Sequence, residues 1–237
     1  MTILPGRILA YHRITAANDS PLCVRPEDFR SQMRTLLTIG LSPTSLADIA
    51  RGRFVVTFDD GYADAYLEAL PILDHYGVHA TVFVCPAYVG RHQRDIDEGV
   101  HLSEPTPFLT WEQLAEMAEQ GHVIGSHGMT HRDLPALADD ELAEELSASR
   151  ASLEERLGHR VVDFCYPRGR YDDRVVAAVA AAGYRRAVVT PARGSRIARG
   201  PFTQERVGLH REDVGWRFWA KVTRMRHLAG RLLPAAG

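Results

Sequence analysis

The run Phe54-Val-Val-Thr-Phe58 leads directly into Asp59-Asp60-Gly61, and its reading decides the fold. Five residues that are nearly all apolar, β-branched or aromatic, with no polar alternation, are the pattern of a strand covered on both faces. Two carboxylates and a glycine then mark the point where that strand gives way to a turn. The same grammar recurs along the chain at Ile8–Tyr11, Thr81–Cys85, Val123–Ser126, Val161–Tyr166, Ala187–Thr190 and Glu205–Leu209. Helical patterns lie between these strands, at Pro26–Ile39, Ala63–Tyr76, Thr110–Gln120, Asp139–Leu157 and Asp173–Ala182. Several stop at a glycine just past the last apolar residue, namely Gly77, Gly121, Gly158 and Gly183. Regular alternation of this kind predicts one parallel sheet with helices outside it. Seven strands in a single α/β domain favour a barrel over an open sheet.

The 237 residues are 45% hydrophobic and 24% charged, the balance of a globular domain that needs no disulfide staples. The net charge of -2 provides no field for nucleic acid, which is not expected as a partner. Of the 28 basic residues only Lys221 is a lysine. Cys23, Cys85 and Cys165 form no CxxC pair and read as small hydrophobes in a reducing compartment. MTILPGRILAYHR lacks the basic and apolar regions of a signal peptide, and no apolar run reaches the length of a membrane span. A cytoplasmic location is the expectation. Residues Arg91 to Pro107 read as a long surface loop of the kind that borders binding sites.

In parallel α/β folds, chemistry gathers at the C-terminal ends of the strands. Two adjacent carboxylates there, Asp59 and Asp60, repel each other unless a cation offsets the cost. Ser126-His127-Gly-Met-Thr-His131 ends another strand, and two imidazoles four residues apart can chelate a metal from one face of a helical turn. With a carboxylate from a second strand end, they make a two-His, one-carboxylate set that leaves positions open for water and substrate. Phe164-Cys-Tyr-Pro-Arg-Gly-Arg-Tyr171 supplies a third strand end, whose Pro167 and Gly169 suit a tight turn with backbone N–H groups facing a ligand. His210 ends the last strand and His12 the first.

TFDDG at Thr57–Gly61, SHGMTH at Ser126–His131 and FCYPRGRYD at Phe164–Asp172 resemble the first three motifs of the polysaccharide deacetylase family. This is the NodB-homology group, carbohydrate esterase family 4. The resemblance implies a distorted (β/α)7 barrel and hydrolysis of an acetyl group, usually an N-acetyl on an amino sugar. It implies that Asp60, His127 and His131 hold a divalent metal, zinc foremost and cobalt or manganese as alternatives, while Asp59 is the general base. The Arg168 N–H aligns with the family's oxyanion donor, and Tyr166 and Pro167 are expected to contact substrate; His12, at the end of the first strand, either contacts substrate, supports the metal site or is a hydrogen-bonded core histidine. The arginine that orients the base in the family's third motif is replaced here by Cys165, and Arg168 is the candidate substitute. The fourth motif, with its Asp and Trp, has no counterpart. His210 resembles the fifth motif's histidine and could be the general acid or a rim histidine. The same site chemistry would serve an O-acetyl esterase or an amidohydrolase of small non-sugar amides.

The barrel is expected to span residues 1–213. Residues 214–237 read as a basic amphipathic tail, helical in character, carrying Trp216, Phe218, Trp219, Lys221, Arg224, Arg226 and Arg231 but no acid. The tail either caps the barrel or rests on an anionic membrane or lipid-linked substrate. No feature of the sequence defines an oligomeric state.

Overall fold

The computed structural model describes residues 4–17, 19–92, 107–190 and 200–223. Seven staves run parallel around a distorted barrel: β1 (Arg7–Tyr11), β5 (Arg53–Phe58), β6 (Ala80–Val84), β7 (Val123–Ser126), β8 (Asp163–Cys165), β9 (Arg186–Val189) and a last stave split into β10 (Gln204–Glu205) and β11 (Val207–Gly208). Short strands β2 (Arg13–Ile14) and β3 (Cys23–Val24) pair with each other, and β4 (Ser42–Pro43) adds to the start of β5. The helices are α1 (Pro26–Thr38), α2 (Leu70–Tyr76), α3 (Trp111–Glu119), α4 (Asp139–Leu157), α5 (Asp173–Ala181) and α6 (Trp216–Thr223).

The split stave is what brings the ring round on itself. β10 pairs with β9, and the Arg206 N–H donates to Val189 O at 2.9 Å. One residue later the chain has changed partner: β11 pairs with β1, and the Leu209 N–H donates to Ala10 O at 2.8 Å. Arg206 therefore sits at the seam. Because all the staves are parallel, their C-terminal ends share one rim, from which His12, Asp59, Cys85, His127, Tyr166, Thr190 and His210 lead off.

Strand alternation divides the core into two shells. Ile8, Val55, Phe83, Cys165 and Val188 face the barrel interior as one cluster, closed below by Leu46. Leu9, Tyr11, Phe54, Val56, Phe58, Val82, Val84, Phe164, Tyr166, Ala187 and Val189 face outward under the helices. The interior is narrow: a Cβ at Gly125 would lie 2.6 Å from the Phe83 ring. On the outside, Tyr11, Phe29 and Phe58 pack ring to ring at 5.0–5.9 Å and seat α1 against β1 and β5.

The expected helix over Ala63–Tyr76 is instead a π-wound turn at Ala65–Ala69 followed by α2. Pro71 has no N–H to donate to Leu67 four residues back, so a regular α-turn cannot form there. Most of the loop expected between Arg91 and Pro107, residues 93–106, lies outside the described residues, as do residues 224–237 of the tail. The part of the tail that is described, α6, buries Phe218 and Val222 against the barrel wall. No described helix is long and apolar enough to cross a membrane.

Candidate active site

Asp60 leaves β5 in the left-handed region at φ 69°, and Gly61 follows at φ 77°. A Cβ at Gly61 would stand 2.8 Å from Val84 Cγ1, so no larger residue fits this turn. The turn directs Asp60 Oδ1 towards two imidazoles, 3.4 Å from His127 Nε2 and 3.6 Å from His131 Nε2. His131 is also left-handed, at φ 59°. The two histidines do not share a helical turn as their spacing suggests: residues 127–133 form an irregular loop, and the left-handed kink at His131 brings its ring centroid to 4.9 Å from that of His127. Non-glycine residues held in this region cost about 1–3 kcal/mol each and cluster at functional sites. Asp60, His131 and Arg168 are the three such residues among those described.

These three donors fit a metal ion. A tetrahedral ion with bonds of about 2.0–2.2 Å holds its ligand atoms roughly 3.3–3.6 Å apart, which matches the 3.4 and 3.6 Å found. His127 Nδ1 donates to Cys165 O at 2.8 Å, so its Nε2 carries the lone pair and faces Asp60. Asp59, His127 and Cys165 also place donor atoms close together. That grouping is no competitor, because Arg206 occupies both Asp59 oxygens and burial pushes the Cys165 thiol well up.

The loop that carries the histidines is tied to α4. Glu145 accepts from the Thr130 N–H at 2.6 Å and from the Thr130 hydroxyl at 2.9 Å. Ser149 donates to Gly128 O at 3.0 Å and shares a hydrogen bond with Ser126 at 2.7 Å. From the other side, the Tyr88 hydroxyl donates to Thr130 O at 2.9 Å. Glu145 is buried, and nothing in its sequence context apart from a charge on the inner face of a helix marks it out.

Asp59 is buried at 4% exposure, and the guanidinium of Arg206 grips it with two bonds, Nη1 to Oδ1 at 2.7 Å and Nη2 to Oδ2 at 2.6 Å. Burial is the largest influence and would raise the carboxyl's pKa, but the charge and hydrogen bonds of Arg206, with His127 and His12 beside it, together outweigh burial and hold Asp59 below the usual carboxylate range. Arg206 Nη1 also donates to Thr57 Oγ1 at 3.0 Å, and Thr57 in turn donates to Leu9 O. Nη2 lies 3.1 Å from Cys165 Sγ. The guanidinium that holds Asp59 is therefore Arg206 and not Arg168. Position 165, where the family's arginine is expected, points into the barrel, and Arg206 enters the same space from the seam opposite. An arginine in the middle of an otherwise ordinary strand was the available signal for it.

The remaining expected site residues fall in different places. Arg168 stands exposed in the left-handed position of the turn Pro167–Gly169. Tyr166 faces outward from the barrel, 1% exposed, with its hydroxyl donating to Phe202 O at 2.9 Å and its ring stacked 5.0 Å from Tyr171. The period of two explains this: Cys165 turns in, so its neighbour turns out, and the Tyr166 side chain supports the turn from behind instead of lining the mouth. Pro167 is buried beside it. His12 Nε2 lies 4.0 Å from Asp59 Oδ2, at the edge of the same site. His210 stands on the rim with its side chain 42% exposed and Nδ1 3.5 Å from Asp213 Oδ2. Asp213 is buried, accepts from the His210 N–H at 2.8 Å and pairs with Lys221 at 2.6 Å. Burial would raise Asp213, but these partners outweigh it and keep the carboxyl low. Away from the mouth, His122 is buried and accepts from the Ala80 N–H at 3.0 Å.

Fold and site together define an α/β-barrel protein with a two-His, one-carboxylate cluster and a buried Asp–Arg pair on its C-terminal rim. The family model for polysaccharide deacetylase matches residues 49–187, and the chain belongs to that family. It is 28% identical over 229 residues to YxkH of Bacillus subtilis (strain 168), whose name assigns it provisionally to the polysaccharide deacetylases; the match covers 92% of this chain and 76% of YxkH. It is 25% identical over 165 residues to the peptidoglycan-N-acetylmuramic acid deacetylase PdaA of the same strain, covering 68% of this chain and 55% of PdaA. The fold matches the Streptococcus pyogenes deacetylase PplD, solved in complex with acetate, with a TM-score of 0.77 at 24% identity over 93% of this chain and 99% of that one. Arg206 and His210 lie beyond the stretch that the family model matches.

Proposed function

We propose that this chain hydrolyses the acetyl amide of an N-acetylated amino sugar within a glycan, with the help of a divalent ion held by Asp60, His127 and His131. The observation that carries this reading is the two-point grip of Arg206 on Asp59, beside but separate from the three candidate ligands. It gives two adjacent carboxylates different tasks. Asp60 faces imidazoles and serves as a ligand. Asp59 is held ionised and aimed, which suits a general base.

A divalent ion at such a site supplies Lewis acidity and brings the ionisation of water towards neutral pH. Asp59 takes the proton of the attacking water as the acetyl carbonyl is attacked, and Arg206 keeps its carboxylate from rotating away. The N–H of Arg168, in the left-handed turn, is the donor to the developing oxyanion; losing one such donor typically costs about 2.7–4 kcal/mol of barrier. His210, backed by the buried Asp213, hands a proton to the departing amine. His12 sits where it can hydrogen-bond the sugar or Asp59. Zinc is the ion these donors suit best, since two imidazoles and one carboxylate form a common catalytic zinc set. The relatives support a glycan acceptor: one that is 28% identical over half of this chain is the poly-beta-1,6-N-acetyl-D-glucosamine N-deacetylase of Escherichia coli (strain K12).

The test is the pair Asp59→Asn and His127→Ala, assayed for zinc content and for acetate release from N-acetylglucosamine oligomers. Asp59→Asn should retain zinc and lose turnover, and His127→Ala should lose both. Near-normal acetate release by Asp59→Asn would contradict the base assignment.

A further inference from the structure

Five of the described tyrosines are buried, and four of them bond through the hydroxyl. Tyr11 donates to Gln32 Oε1 at 2.8 Å, Tyr88 to Thr130 O at 2.9 Å, Tyr166 to Phe202 O at 2.9 Å and Tyr184 to Leu146 O at 3.1 Å. Tyr62 is the exception. Among the described residues its hydroxyl has no hydrogen-bond partner, although the residue is 6% exposed. Nor is that hydroxyl one of the unpartnered atoms sealed from solvent, so it reaches the little surface the residue keeps. A buried tyrosine ordinarily finds a partner for its O–H, and here the partner has to come from outside the chain.

The place of this hydroxyl is fixed from several sides. Tyr62 follows Gly61 on the rim, next to the turn that carries Asp60. The Ala63 N–H donates to Pro107 O at 3.0 Å and the Leu109 N–H to Gly61 O at 2.8 Å, so Tyr62 and Phe108 face each other in an antiparallel bridge. Their rings stack at 4.9 Å and 17°, and the Arg13 guanidinium, paired with Asp64 at 2.7 Å, lies 5.1 Å from the centre of the Tyr62 ring. Tyr62, Cys85, Tyr88 and Phe108 form a small cluster apart from the two shells of the barrel core. That cluster also braces the histidine loop, through Tyr88 to Thr130 O and through the Cys85 thiol to His127 O at 3.2 Å. Burial foremost, then the charge of Asp60, push the phenol well above its ordinary range, so the hydroxyl keeps its proton.

A phenol both donates and accepts, and it is matched by a group that does the same. The sugar hydroxyls flanking an acetamido nitrogen are such groups; the acetyl methyl is not, and the carbonyl only accepts. We propose that the Tyr62 hydroxyl hydrogen-bonds a sugar hydroxyl beside the acetamido group, and so selects an acetylated sugar over a sugar-free acetyl amide. The assignment rests on the glycan reading given above. A site built to hydrogen-bond a substrate hydroxyl discriminates against an analogue that lacks it, because its own polar group is then left unpaired.

The test is Tyr62→Phe in the full chain, which removes one oxygen and leaves the ring in its packing. Binding of tetra-N-acetylchitotetraose is measured by isothermal titration calorimetry on chelated protein, and turnover is measured after zinc is restored. Affinity should fall by about 3–10-fold, as expected for one uncharged hydrogen bond. KM should rise by a similar factor while kcat stays within about twofold, with zinc content and melting temperature as in the wild type. Equal affinities would overturn the role given to Tyr62, whether or not the wild type releases acetate. A variant that loses zinc or melts well below the wild type would overturn it too, since the hydroxyl would then be structural. Weaker binding by the variant, with no acetate from either protein, would support the sugar contact and contradict only the reaction. A wild type that neither binds the oligomer nor releases acetate would overturn both.

Discussion

Replacing Arg206 by methionine removes the partner of a carboxylate that is 4% exposed while leaving the space behind it filled. In the native protein Asp59 accepts two charge-assisted bonds from Arg206, at 2.6 and 2.7 Å. Breaking one side of a buried pair of this kind typically costs about 3–5 kcal/mol, because the remaining buried charge loses the partner that was hydrogen-bonded to it. For a domain of this size each kcal/mol moves the melting temperature by about 2–4 °C, so the loss should be roughly 6–20 °C. Changing Asp59 to Asn as well removes the stranded charge, and the double variant should recover much of that loss, with a coupling energy of at least about 1 kcal/mol. Arg206→Lys, which keeps the charge and loses the two-point fork, should fall between. The assay is calorimetry of the four proteins of the cycle at neutral pH, with acetate release measured in parallel; turnover should fall sharply in every variant. An Arg206→Met protein that melts within about 2 °C of wild type, or a cycle with no coupling, would show that Arg206 does not hold the buried Asp59 charge.

Two further predictions rest on other parts of the molecule. Glu145→Ala removes the carboxylate that holds the Thr130 N–H and hydroxyl, so the histidine loop should loosen and zinc affinity should fall by about 10–100-fold, measured by competition with a chromogenic chelator; an unchanged affinity would show that the loop holds itself. For His122, burial of the ring, with His79 adding to it against Asp74, keeps the pKa below its ordinary value. The unfolded chain therefore binds the extra proton first, at about pH 6.5, and stability should rise with pH towards that value and be lost on acidification below it. His122→Asn should flatten the dependence of denaturation free energy on pH between about 5 and 7, and identical slopes for the two proteins would contradict the assignment.

Much of the architecture was legible because it rests on local pattern. Unbroken apolar runs such as Phe54–Phe58 announced buried parallel strands, and glycines past the helix ends marked the stops. Asp59-Asp60-Gly61 and His127/His131 stood at strand ends, where a parallel barrel gathers its chemistry. What the sequence concealed depends on the third dimension. Arg206 lies 147 residues from Asp59, and only closure at the seam between β10 and β11 brings them together, so a local motif offered Arg168 instead. Tyr166 read as a substrate contact because the alternation of a short strand cannot be phased from the sequence without knowing which neighbour turns inward. The pairing of His127 with His131 survived the loss of the helical turn expected between them, because a left-handed residue achieves the same approach. Cys165, expected to be apolar filler, is buried as such a residue should be, yet its thiol lies against the Asp59–Arg206 pair.

The most direct test of the account is acetate release from N-acetylglucosamine oligomers by chelated protein, before and after zinc, cobalt or manganese is restored. The account predicts no acetate from the chelated protein and turnover regained on addition of one equivalent of metal, with His131→Ala failing to regain it. Equal acetate release with and without metal, or a stoichiometrically loaded protein that releases none from any N-acetylated glycan, would contradict it.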